Sequence, residues 1–418
     1  MLGVATAATH IEGGYQAHNW YQWCEEGKIK DGSHCKVACD HINRIEEDVD
    51  LIAGLNCQTY RLGIEWSRIE PEEGRFSEEG VSIYRKELSI LRERNIVPLV
   101  TLWHFSNPLW MEDDGGWVNP KSVGRYLRFA TFVVDQLSDL VSDWITINEP
   151  NVYLFFAYFE GIWPPGKQGD IRSFVKAANH FCQAHLKAYQ LIHQKQSGAR
   201  VGVAHHLRVF DGLDDHWLTR KAIQLTAHVF QNMFLEAMTT GKFRFPLTRS
   251  NSKLEGDVYA DFIGINYYSR DMVKGVFNPL ALFGERSVMR GSQVNDLGWE
   301  IYPDGLYRLC TDIFKKYGLP IWITENGVCD SEDKLRSQFI YDHLLQLADL
   351  HKAGVEVERY YHWSLLDNFE WAEGNSARFG LYHTNYDTQV RTLRKSGKMY
   401  AEICQLKAVS NDVIDRYL

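Results

Sequence analysis

The run Pro320-Ile321-Trp322-Ile323-Thr324-Glu325-Asn326-Gly327 reads as a buried strand that stops abruptly on a carboxylate. Isoleucine, tryptophan and threonine favour a strand, and Asn-Gly ends it. A carboxylate at the mouth of a buried strand is costly to ionise unless its surroundings are built for it. The same arrangement occurs earlier, where Asp143-Trp144-Ile145-Thr146-Ile147-Asn148 leads into Glu149-Pro150. Two strand-end glutamates so far apart in sequence suggest a pair facing each other across one pocket. Cleaving a glycosidic bond requires a pair of that kind.

Working outward from these runs, strands are expected over residues 2–8, 58–66, 96–103, 143–148, 200–205, 261–266, 320–324 and 357–364. Helical periodicity separates them over 42–55, 78–94, 120–140, 171–196, 218–238, 303–317 and 335–353, with a last helix over 393–406. Residues 269–293 have no strong period and read as a long loop. Regular alternation of strand and helix predicts a closed parallel (β/α)8 barrel, a TIM barrel, with its site at the carboxyl ends of the strands. No Gly-rich dinucleotide fingerprint or phosphate-binding loop follows any strand. With no linker, repeat or low-complexity stretch, residues 1–418 read as one domain.

Composition sets the outer limits. At 418 residues with 45% hydrophobic content the chain is long enough for a large core. A net charge of -9 argues against a general nucleic-acid binder, and no polybasic patch suggests a membrane surface. No apolar run reaches the roughly 18 residues needed to span a bilayer. No secretory signal opens the chain, so the expected location is the cytoplasm, with its eight cysteines as reduced thiols. The sequence does not indicate an oligomeric state.

Reading off the predicted strand ends gives His10, Arg61 with Glu65, His104, Asn148 with Glu149, His205 and His206, Asn266 with Tyr268, Glu325 and Trp363. A ring of polar, titratable and aromatic residues at every strand end is the pattern of a built site, whereas helix caps alone would scatter them.

With those residues in view, the chain resembles family 1 of the glycoside hydrolases, the β-glucosidases and β-galactosidases, nearly end to end. The carriers are Thr146-Ile147-Asn148-Glu149-Pro150, Ile323-Thr324-Glu325-Asn326-Gly327 and Trp363-Ser364-Leu365-Leu366-Asp367-Asn368-Phe369-Glu370-Trp371. Tyr60-Arg61-Leu62-Gly63-Ile64-Glu65-Trp66-Ser67-Arg68, Leu102-Trp103-His104 and Asn266-Tyr267-Tyr268 add to them. The resemblance implies a retaining exo-β-glycosidase without cofactor or metal, with Glu325 as nucleophile and Glu149 as acid/base. It implies that Arg61, Tyr268 and Asn266 orient the nucleophile. It also implies that His10, His104, Asn148, Trp363, Glu370, Trp371 and Phe379 bind the substrate, a small β-glycoside or oligosaccharide. The acid must hold a proton near neutral pH while the nucleophile stays ionised.

Two features narrow the substrate. A carboxylate at Glu370 would accept bonds from the 4- and 6-hydroxyls and repel a 6-phosphate, so unphosphorylated β-glucosides are favoured, with β-galactosides and β-fucosides as further candidates. The family usually has Gln where this chain has His10, which bears on sugar preference. A plant branch with a His-like variant there transfers galactosyl groups between lipids, so a transglycosylase is the alternative reading. A non-catalytic sugar-binding barrel is the second alternative, against which both glutamates speak. His34, Cys35, Cys39 and His41 do not have zinc spacing and are expected to bind no metal. Packing in the core or cleft wall is expected for His205 and His206.

Overall fold

The computed structural model describes residues 1–14, 17–248, 256–278 and 281–418. Eight parallel strands close into a barrel: β1 Leu2–Ala5, β2 Thr59–Gly63, β3 Val97–Thr101, β4 Asp143–Asn148, β5 Arg200–His206, β6 Ile263–Tyr267, β7 Ile321–Asn326 and β8 Val357–Trp363. Each strand pairs with its sequence neighbour, and β1 closes the ring on β8 with Leu2 opposite Tyr360 and Ala5 opposite Trp363. Helices between the strands form the outer layer, among them Glu78–Glu93, Ser122–Leu137, Ile171–Lys195, Asp304–Tyr317 and Arg336–Lys352. None of the described helices is long and apolar enough to cross a membrane. All eight cysteines are buried free thiols.

The barrel interior is packed, not hollow. Ala5, Leu99, Ile145, Ala204, Phe262, Trp322, Tyr361 and Trp363 belong to one buried cluster along the axis. Phe262 and Trp322 stack with ring centroids 3.6 Å apart. Gly202 makes room for them, because a Cβ there would sit 2.7 Å from the Phe262 ring. At the end where the strands begin, Arg359 donates to Asp143 at 2.5 Å and lies over the Trp322 ring. Arg200 donates to both oxygens of the same carboxylate. That ion-paired plug closes the floor of the barrel, and the opposite end remains for the site.

Three local expectations change. The first strand ends at Ala5 rather than at residue 8, and Ala8–Ile11 forms a helical turn that lifts His10 over the barrel mouth. The helix expected over 218–238 is two helices, Trp217–Ala227 and Met233–Thr240, joined by a π-helical turn at His228–Asn232. The supposed loop over 269–293 contains strands Arg270–Gly275 and Gly284–Ser287, with residues 279–280 outside the described part. Arg270–Gly275 lies between Val209–Gly212 and Gly284–Ser287 in a small sheet beside the mouth. Charged residues interrupt both strands (Arg270, Asp271, Lys274, Glu285, Arg286), so they present no apolar run to read.

Candidate active site

The two glutamates reach the pocket by the same device. The β4–β5 ladder slips register between Ile145 and Asn148, and the β7–β6 ladder between Ile323 and Glu325. Such bulges re-aim the side chain at a strand end. Glu149 also takes a left-handed backbone, φ 41°, in the residue before Pro150. That conformation costs a non-glycine residue about 1 kcal/mol or more, and sites commonly store such strain. After β7 the chain turns at Gly327, where a Cβ would meet the Trp363 carbonyl oxygen at 1.8 Å. Both carboxyls line one cavity of about 770 Å3.

Glu325 sits among charged and strong donors. Arg61 donates to Oε1 at 2.5 Å, and the Tyr268 hydroxyl donates to Oε2 at 2.6 Å. Arg61 itself is wholly buried and fixed by Thr101 Oγ1, the Thr324 carbonyl and Asn148 Oδ1. Burial pushes Glu325 up to about 7; the Glu149 charge adds to this, while Arg61 and Tyr268 oppose it. The two carboxyls share the cost of a second negative charge, so the pair keeps one proton to about pH 7.

Glu149 is held by an amide and an imidazole. Its Oε1 accepts from Asn266 Nδ2 at 2.7 Å and lies 3.1 Å from His206 Nδ1. On the far side of that imidazole, Arg208 Nε donates to Nε2 at 3.2 Å, and Arg208 is held by both oxygens of Asp271. His206 is therefore part of the site and not mere cleft-wall packing. His205, the next residue back on the strand, does not reach the cavity. Asn266 also differs from expectation. It holds Glu149 rather than Glu325, and its Oδ1 is fixed by the Thr324 hydroxyl.

His10, His104, Trp363, Glu370, Trp371 and Phe379 line the cavity. Asn148 does not. It is fully buried beneath the wall, accepting from Arg61 and Asn266 and donating to His104 Nε2 at 2.9 Å. The bulge that turns Glu149 inward also draws Asn148 under it. With Nε2 accepting, His104 carries its proton on Nδ1, and that buried N–H has no protein partner. Both ring nitrogens of His10 are likewise buried and without a partner among the described residues. Burial holds both imidazoles well below their ordinary range, so they are neutral and each offers hydrogen bonds inward. Buried polar atoms without partners are rare and point to a polar ligand.

Glu370 is held by Trp363, whose indole N–H donates to Oε1 at 3.0 Å. Burial, with the charges of Glu325 and Glu149 adding, pushes it up to about 8. Burial thus favours the neutral acid at Glu370 near neutral pH, which weakens the repulsion expected of a carboxylate there. The loop that carries Glu370 and Trp371 is anchored by Asp367, which accepts from Arg394 and the Gly380 N–H.

Sequence reading missed the outer wall. Phe155, Phe156 and Phe159 come from a π-helical turn at Phe155–Glu160, and Val229 and Phe230 from the turn at His228–Asn232. π-Turns are frequent at functional sites but have no clear sequence signature. Arg208 and Asp271 were missed because they belong to the unrecognised small sheet and its approach.

The expected cluster of His and Cys residues is split. Cys39 donates to the Asp367 carbonyl, and His41 bridges Asp48 and Glu87. Cys24 joins His34 and Cys35 instead. However, His34 Nδ1 accepts from the Lys36 N–H and Nε2 faces Glu25. Both ring nitrogens are thus committed, leaving the imidazole no lone pair for a metal ion.

A family model described as glycosyl hydrolase family 1 matches residues 1–409. Beta-glucosidase A of Acetivibrio thermocellus is 32% identical over 96% of each chain, and beta-glucosidase A of Thermotoga maritima 31% over the same shares. Among solved structures, a beta-glycosidase from Pyrococcus horikoshii superposes with a TM-score of 0.92 at 35% identity, covering 99% of this chain and 96% of that one. The Thermotoga maritima β-glucosidase in complex with glucoimidazole gives 0.90 at 30% identity, covering 98% of both chains.

Proposed function

The chain belongs to glycosyl hydrolase family 1, and from that premise we propose that it is a retaining exo-β-glucosidase. Glu325 is the nucleophile and Glu149 the acid/base, and the whole chain acts as one catalytic domain. The observation that carries this assignment is the unequal solvation of two carboxyls on one cavity. A guanidinium and a phenol donate to Glu325, which favours its anion. Glu149 has no guanidinium or phenol on it, only the Asn266 amide and the His206 imidazole, the surroundings suited to the acid/base.

In the first step a Glu325 oxygen attacks the anomeric carbon, and the bond to the aglycone oxygen breaks. The electron pair goes to that oxygen, which takes the Glu149 proton. Ester formation removes the charge on Glu325, so Glu149 is left as the lone carboxylate. It then takes a proton from water, whose oxygen attacks the same carbon and releases Glu325. Two inversions give retention.

His10, His104, Glu370 and Trp363 surround the sugar at the closed end. Glu370 there is both donor and acceptor, suited to two neighbouring hydroxyls. The basic residues lining the cavity are ion-paired: Lys30 with Glu373, Arg208 with Asp271, and Arg286 near Asp271 and Glu160. A 6-phosphate would find no spare cation among the described lining residues, so unphosphorylated glucosides remain the preferred substrates. The phenylalanine wall suits an apolar aglycone. Eight buried free thiols suit a reducing compartment, the cytoplasm.

Proton NMR of 4-nitrophenyl β-glucoside hydrolysis tests the reading. The first-formed sugar should be the β-anomer. First formation of the α-anomer, or faster cleavage of the 6-phosphorylated glucoside, would overturn it.

A further inference from the structure

We propose that His206 is a positioning residue that decides which oxygen of Glu149 carries the acid proton. The inference rests on the reading of Glu149 as acid/base and deepens it. Both groups that reach this carboxyl, Asn266 Nδ2 and His206 Nδ1, converge on Oε1. Among the described residues, no hydrogen bond is made to Oε2. An oxygen that already accepts two N–H bonds is the carbonyl-like oxygen of a carboxylic acid, so the hydroxyl is Oε2. The proton therefore sits on the oxygen turned from the wall.

That argument requires His206 to donate, and the residues behind it ensure that it does. A neutral imidazole has one N–H and one lone pair, and the partner at one nitrogen sets the role of the other. Arg208 Nε is always a donor, so Nε2 accepts and the ring proton sits on Nδ1, facing Glu149. Asp271 holds the guanidinium at 2.8 and 2.9 Å, and Gln231 brackets the Arg208 backbone at both its N–H and its C=O. The ring is stacked against Tyr268, with Phe230 at its edge.

The consequence is specific to protonation of the leaving group. Glycosides of acidic phenols leave without a proton, whereas phenyl and alkyl glycosides need one. The test measures kcat/KM for 2,4-dinitrophenyl and phenyl β-glucosides with wild type, His206→Phe, His206→Asn and Arg208→Met. In His206→Phe we expect a loss of about 30–100-fold for the phenyl glucoside and less than about 3-fold for the dinitrophenyl one. His206→Asn, which keeps an N–H donor, should recover most of the loss. Arg208→Met frees the tautomer and should give a smaller loss with the same selectivity, from a side chain that does not touch Glu149. Equal losses for both substrates, or no loss, would overturn the proposal while leaving the glycosidase reading intact. A wild type inactive on both would overturn the glycosidase reading itself.

Discussion

Both ends of the barrel hold a buried arginine against a buried carboxylate, yet only one of these pairs is a site. At the floor, Asp143 accepts from Arg359 and Arg200, and Arg359 is stacked on Trp322. Around this pair, polar groups such as Tyr361 and Thr59 bond to each other. At the mouth, Arg61 meets Glu325, but His10 and His104 beside them keep unpartnered ring nitrogens, and a second and third carboxyl share the cavity. A buried ion pair is thus no mark of function by itself. What distinguishes the mouth is unmet hydrogen-bonding capacity around the pair, together with one more negative charge than the site can hold.

The sharpest way to break the comparison is to remove one acid from each end. Glu325→Ala should lower kcat by about 10⁴-fold or more with the fold intact, and azide should restore turnover of an activated glucoside, yielding the α-azide. Retained activity in that variant would remove the distinction. Asp143→Ala should do the reverse: it leaves Arg359 uncompensated and should cost about 3–5 kcal/mol in denaturant melts. The surviving folded fraction should keep kcat within about threefold.

Glu370 offers a finer test. Its folded value of about 8 lies above that of a free carboxyl, so the folded chain binds more protons than the unfolded one between the two values. Stability then falls as pH rises through that window, and the cost is complete above pH 8. Glu370→Gln should therefore melt later than wild type by about 2–4 kcal/mol above pH 8, gain little at pH 5, and bind glucosides more weakly. The smallest effect concerns the catalytic pair, whose last proton leaves near pH 7. Above that pH, kcat/KM for phenyl β-glucoside should drop about tenfold per unit, and a profile still rising at pH 8 would mean the proton is not needed.

Much of the mouth was legible in the chain because strand ends are. Ile-Trp-Ile-Thr before Glu325 and Trp-Ile-Thr-Ile-Asn before Glu149 are apolar runs that stop, and the glutamate at each stop lines the cavity. The floor was not read, since Asp143 and Arg359 begin strands whose partner is set only by barrel closure. Asn148 and Asn266 stand at strand ends as read, but the hydrogen bonds they make were not legible. Their orientation depends on one-residue register slips, which leave no mark in composition or periodicity. Glu65, also a strand-end acid, caps the following turn and accepts from Thr9 and Ser106, well beneath the cavity. His206 was visible as a candidate. Its importance lay in Arg208 and Asp271, which the charged, short-stranded sheet concealed.

The contact of Gly327 with the Trp363 carbonyl couples two parts that an engineer would wish to adjust separately. The segment bearing Glu325 rests directly on the backbone of Trp363, with no side chain between to absorb a shift. Any bulkier residue at 327 would displace Glu325 and Trp363 together. Substrate range in this scaffold is therefore easier to retune from the phenylalanine wall, which shares no such seam with the nucleophile.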